Sequence, residues 1–219
     1  MYKIISIRFA LIIICISLFG GCEKSPSDEI DFGGINNSVY RNKYFGLSIQ
    51  IPSKWSIQDQ DARQLIMKAG TEMVAGEDKN LKAVLKATEL QTVNLLAVFE
   101  HPLGSPVAFN PNMACLAEQT RQMPGIKRGK DYHFHTRKIL ESGQVDVTFP
   151  KDISTENLGG VDFDIMHLQM VLPGITVQQK YYATIMKGYA LVCIVTFSNE
   201  EQEATLDTML DSIEFNLQK

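Results

Sequence analysis

The sequence predicts an α+β fold in which helices cover both faces of a central, mainly antiparallel sheet. Three observations carry that expectation. Residues 92–100 (TVNLLAVFE) and 189–197 (YALVCIVTF) are apolar on both faces, so each reads as a strand covered from two sides. Residues 161–197 form a meander of long strands broken at Pro173-Gly174 and Lys187-Gly188. Stripes of helical period recur before and after these strands. The composition agrees with a folded chain: 219 residues, 45% hydrophobic, only four cysteines. That is too apolar for disorder and too poor in cysteine for a disulfide scaffold. A formal charge of −4 argues against nucleic acid as a partner.

The chain opens with Lys3 and Arg8 and no acid, followed by an uncharged apolar run over residues 9–19 (FALIIICISLF). A spanning helix needs about 20 apolar residues, so the run is too short to cross a membrane permanently. It reads as a secretory signal peptide over residues 1–21. The junction Leu18-Phe19-Gly20-Gly21-Cys22 resembles the lipobox of bacterial lipoproteins, with Phe19 where Leu is commoner. The resemblance implies cleavage before Cys22, its acylation with lipids such as palmitate, and a membrane anchor. Two or three acyl chains hold firmly, at about 0.8 kcal/mol per buried CH₂. Glu23 rather than Asp follows, which implies an outer membrane if the host is Gram-negative. The chain is therefore expected to be extracytoplasmic. Losing the signal removes Lys3 and Arg8, so the formal charge falls from −4 to −6.

Residues 22–38 read as the lipidated cysteine and a flexible tether (EKSPSDEIDFGGINNS after Cys22), and 39–219 as one domain without repeats. Within that domain Phe45, Leu47, Ile49 and Ile51 alternate with polar residues, marking a strand with one wet face that ends at Pro52. Trp55, just beyond it, reads as a core plug. Two helices follow, with stripes Ala62, Leu65, Ile66, Ala69, Met73 and Leu81, Val84, Leu85, Thr88. Residues 110–123 fit either a helix capped by Asn110-Pro111 or a buried strand. A clearer helix places Tyr132, His135, Thr136, Ile139 and Leu140 on one side, His135 towards the core and His133 towards solvent. Residues 144–149 read as a strand. In the last helix Ser198 and Glu201 form a capping-box pattern ahead of the stripe Leu206, Met209, Leu210, Ile213. Cys115 and Cys193 lie in apolar runs, which favours buried thiols; a bridge would need Cα atoms within about 7 Å.

Several short motifs together resemble the PsbP-like superfamily. They are Tyr40-Arg41-Asn42 with Phe45 to Pro52 and Trp55; Asn110-Pro111-Asn112, Glu118, Gly125-Ile126-Lys127 and Asp131-Tyr132; and Leu158-Gly159-Gly160, Phe163, Tyr181-Tyr182 and residues 210–215 (LDSIEF). That superfamily includes PsbP, DcrB-like lipoproteins and a Ran-binding import factor. The resemblance implies an αβα sandwich, a strand at 113–118, and a role as an accessory or binding protein rather than an enzyme. A Ran-type partner does not carry over to an exported chain.

No nucleophile elbow, zinc-protease, C-x-x-C, dinucleotide or phosphate-loop motif is present in the sequence. No cofactor is called for. Four residues are weak metal candidates: His133 and His135, which would share a face only on a strand, and Asp162 and Asp164, about 6.5–7 Å apart on one strand face. His101 or His167 would have to join them through the fold. Lys127, Arg128, Lys130, Arg137 and Lys138 surround Tyr132 and Phe134; the plain reading is a solvated helix face with its aromatics packed inward. The expectation is a non-catalytic, lipid-anchored envelope protein that binds another envelope protein, with a small-ligand or metal binder as the alternative.

Overall fold

The computed structural model describes residues 30–172 and 174–217. The signal segment, Cys22 and residues 23–29 lie outside them, as does Pro173 of the expected turn.

The scaffold is an eight-stranded antiparallel sheet. Its strands are β4 (Ser56–Ile57), β5 (Thr92–Phe99), β6 (Asn112–Gln119), β7 (Val147–Thr148), β8 (Ser154–Leu158), β9 (Val161–Leu172), β10 (Ile175–Met186) and β11 (Tyr189–Phe197). The order is β4-β5-β6-β11-β10-β9-β7, with β8 also pairing β9. The meander β9–β10–β11 has the bounds that the alternation implied. Lys187 (φ 52°) and Gly188 (φ 80°) form its second turn, and two left-handed residues match the twist of a tight hairpin. Residues 110–123 resolve as a strand, since β6 pairs with β5 on one side and β11 on the other. The expected strand at 144–149 shrinks to the two residues of β7. The polar strand β8 has no apolar alternation that a sequence reading could detect.

A second sheet, β1-β2-β3-β12, was not expected. It comprises β1 (Gly34–Asn36), β2 (Val39–Asn42), β3 (Leu47–Gln50) and β12 (Glu214–Phe215). Leu47 and Ile49 of β3 face the core, as their alternation requires, but their strand pairs with β2 and β12 instead of joining the main sheet. The folded body also begins earlier than residue 39. Ile30 is buried, and the Asp31 carboxylate accepts the backbone N–H groups of Gly33 and Tyr44. Residues 30–38 therefore leave the tether and join the domain, because Tyr40 and Asn42 anchor them through Phe32 and Asp31 carbonyls.

Four helices are described: α1 (Gln60–Ala75), α2 (Lys79–Leu90), α3 (Gly129–Glu141) and α4 (Glu200–Asp211). Helix α4 and the small sheet cover one face of the main sheet. There Leu206, Met209, Leu210 and Ile213 pack with Phe45, Ile49, Leu191 and Phe197, and Trp55 sits in the same core. Lys180 of β10 joins the two layers, its Nζ 2.8 Å from Glu203 and 2.9 Å from Asp207 of α4. Helix α3 covers the opposite face, over Ala183, Ala190 and Val192. Helices thus sit on both faces, as expected, with a small sheet added on the α4 side.

Helix termini follow their capping residues. Asp59 accepts Ala62 N, and Asp78 accepts Asn80 N and Leu81 N. The box at α4 is one residue later than expected: Asn199 accepts Gln202 N, and the Gln202 side chain reaches back to Ser198. The amide of Asn199 is the better-placed cap, so Ser198 becomes the residue outside it.

The α1 stripe is corrected in phase. Thr71 and Ala75 are buried whereas Leu65 is 67% exposed and Met73 is exposed, because α1 lies along the outer edge of β5 with Arg63 Nη1 donating to Leu95 O. Val84 of α2 is likewise exposed. This contrast is measurable. Leu210→Ala should cost about 2–5 kcal/mol in urea unfolding. Leu65→Ala should stay within about 0.5 kcal/mol of the parent, although both leucines occupied a helical stripe in the sequence. Equal losses would contradict this packing.

Candidate functional site

The chemistry-bearing residues converge where α3 starts over β8 and β9. The start of α3 comes unusually close to the sheet. A Cβ on Gly129 would lie 2.0 Å from Ala183 O and 3.0 Å from the Asp164 Cβ, so only glycine permits the approach. Asp164 then takes over as a cap from another strand. Its Oδ2 accepts Lys130 N at 2.8 Å, its Oδ1 accepts the Thr155 hydroxyl at 2.7 Å, and Arg128 Nη2 lies 3.8 Å away. A carboxylate at a helix N-terminus meets both free N–H groups and the positive end of the dipole. Asp131 adds a local clasp, accepting the N–H groups of Lys127 and Arg128. The first of these bonds is the main reason its carboxyl is held below the usual range.

His133 is fully buried, the reverse of the orientation read from the sequence, and His135 is exposed. The helix is rotated so that His133 rather than His135 meets the sheet. Its Nε2 lies 2.8 Å from Asp164 O, so that nitrogen carries the hydrogen and donates. Burial lowers its pKa, and this outweighs the pull of the Asp164 carbonyl and carboxylate. Beside it the Tyr132 hydroxyl donates to Glu118 Oε2 at 2.7 Å. Burial raises the pKa of both groups, a tendency that the hydrogen bond to Tyr132 only partly offsets at Glu118.

The metal candidates are thus separated. Asp164 and His133 meet, but through the Asp164 backbone carbonyl. Asp162 is exposed and accepts from Asn157 Nδ2 at 2.7 Å. His101 lies in the β5–β6 loop, clasped by Asn110. His167 pairs across from Lys180 and shares its face, on the far side of the sheet from α3. Among the described residues no group of three or more His, Cys, Asp or Glu is placed to hold a metal ion.

The outer side of α3 differs from the plain reading in one respect. Tyr132 is packed inward, but Phe134 is 55% exposed, with Lys138 Nζ 4.2 Å from its ring centroid. Arg137 lies 4.3 Å from the Phe149 ring and donates to Glu141 at 2.8 Å. A recess of about 560 Å³ opens beside this ridge, lined by Arg128, Lys130, Phe134, Arg137, Ile153 and Thr155, with the carboxylates of Asp131 and Asp164, already bonded at the start of α3, at its wall. Ile153 is also exposed. Between residues 127 and 138 five basic side chains meet a single acid, on a chain that is acidic overall. Such a surface has the charge to suit an anionic group, with the ring and Ile153 offering apolar contact. Thr155 and Ile153 carry no sequence signal, because only the pairing of β8 with β9 brings them to the helix.

No family model matches the chain, and no curated protein matches it. Solved structures do. The chain is similar to cyanobacterial PsbP (CyanoP) from Synechocystis, at 11% identity and a TM-score of 0.49, over 84% of this chain and 96% of that one. It is also similar to LpqN, involved in cell envelope biogenesis of Mycobacterium tuberculosis, at 13% identity and a TM-score of 0.40, over 77% of this chain and 82% of that one. The α+β architecture rests on the strand pairing and packing described above.

Two outcomes test the site. Gly129→Ala should destabilise the chain by more than about 2 kcal/mol, since backbone must move, whereas Gly125→Ala, with open space around it, should be near neutral. Equal effects in chemical unfolding would disprove the close approach. Because the His133 pKa is lower folded than unfolded, its stabilising share is present above the unfolded value of about 6.5 and is lost as pH falls below it. His133→Asn should therefore flatten the fall in Tm between pH 7.5 and 5.5. Glu118 and His167 titrate alike in both proteins and drop out of the difference. An unchanged slope would refute the assignment.

Proposed function

We propose that this chain is a non-catalytic accessory protein of the bacterial envelope, anchored by lipid on Cys22, that docks an acidic face of another envelope protein through the outer side of α3. The observation that carries the docking is Phe134: a large ring held in the open beneath Lys138, on a ridge with Arg128, Lys130 and Arg137. A ring left outside the core beside a row of cations is a poor use of a helix face unless a partner covers it. Support for the anchor is the Gly20-Gly21-Cys22 junction after an uncharged apolar run. Among the described residues no helix is long and apolar enough to cross a membrane, so attachment through lipid is compatible with them.

The full chain tests both parts. Cys22→Ala should abolish labelling by an alkyne-bearing fatty acid and leave the signal segment uncleaved; a processed, unlabelled mutant would end the anchor reading. A photo-crosslinker placed at residue 134 in intact cells should yield a discrete adduct that fades when Lys138 and Arg128 are changed to Glu. The same probe at residue 65, on α1, serves as the control. Adducts of equal yield at both positions, insensitive to charge reversal, would overturn the docking.

A further inference from the structure

We infer that Cys115 and Cys193 form a disulfide across β6 and β11 when the chain folds in an oxidising compartment. The compartment rests on the export proposed above; the geometry does not. The two residues are direct partners in the antiparallel register, flanked by Leu116↔Val192 and Ala114↔Ile194. Directly opposed residues on antiparallel strands have Cα atoms about 4.5–5.5 Å apart, inside the range a disulfide spans. The side chains also point at each other, with the sulfurs 2.6 Å apart. No backbone movement is needed to join them.

Both sulfurs are buried in the largest core cluster, between the two central strands and the small sheet. Burial pushes the Cys115 thiol well up, which disfavours the thiolate needed for attack in the finished fold. The bond is therefore made while the sheet is still accessible, and then sealed. In the reaction two S–H bonds break and one S–S bond forms. Two electrons and two protons pass to the disulfide of an oxidised dithiol oxidoreductase, or of glutathione in vitro, which leaves as two thiols. The bond closes a loop of 78 residues that contains α3 and strands β7 to β10.

The test uses the full-length chain in two preparations: purified from host membranes under acid quench, and refolded in detergent with mixed reduced and oxidised glutathione. Each is denatured without reductant, alkylated and digested. The expected result is a linked peptide pair joining Cys115 to Cys193, with neither residue alkylated. Reductant should then lower Tm by about 5–10 °C in the parent, and this response should vanish in the Cys115→Ala/Cys193→Ala chain. Free, alkylated thiols in the glutathione-refolded protein would overturn the inference and leave only a thiol contact in the core. A linked pair after refolding with free thiols in the host preparation would support the bond and count against export.

Discussion

The structure depends on the need to cover β11 from both sides. All but one of its residues are buried, and it lies between β6 and β10 with apolar side chains on each face. A strand like this cannot stand in a sheet with one wet face. One side is closed by α4 together with the small sheet, whose strands arrive from both ends of the domain: β1 to β3 precede the main sheet in sequence, and β12 follows α4. On the other side Tyr132 of α3 packs against the small residues Ala183 and Ala190 and against Val192. Small residues under a helix, with Gly129 on it, let the two layers approach closely, and that close approach governs what α3 shows to the outside.

Much of the polar chemistry near α3 serves this contact. Asp164 gives one oxygen to the helix N-terminus and the other to Thr155, while its carbonyl holds His133. Glu118 is matched to Tyr132. These groups resemble catalytic or metal-binding candidates when taken one by one, yet each is already bonded to another part of the fold. The exposed features lie on the other side of the same helix, where Phe134 and Lys138 face outward. A helix locked this firmly offers a rigid ridge, so little side-chain or backbone entropy is lost when something binds it.

The sequence was most informative where burial was two-sided or the repeat was long. Residues 161–197 gave three strands with their turns, and Leu206, Met209, Leu210 and Ile213 gave the buried face of α4. It was least informative where pairing, not pattern, decides the structure. β1, β7 and β12 are two or three residues long, and β8 is polar, so none carries a period to detect. The helix phases failed for a related reason. Both α1 and α3 have apolar residues on more than one side, and which side turns inward is set by the strand beneath; hence Leu65 is exposed and His133 replaces His135. The recess beside α3 was legible only in part: its cations were visible in residues 127–138, but Thr155 of β8 and Ile153 just before that strand arrive by tertiary contact.

The pairing of β6 with β11 is the least local of the sheet's central contacts. α3 and four strands separate the two in sequence, and bringing distant segments together costs loop-closure entropy before any contact repays it. Hairpins β9–β10 and β10–β11 pair neighbouring residues, whereas β6 and β11 pair across most of the domain. Cys115 and Cys193 sit at the middle of that long-range pairing. A covalent link there removes conformations only from chains in which β6 and β11 are apart, so it stabilises the step that local interactions support least. The same reasoning explains why the bond would sit in the core and not at the surface: it secures the register of β6 against β11, from which the coverage of β11 on both faces follows.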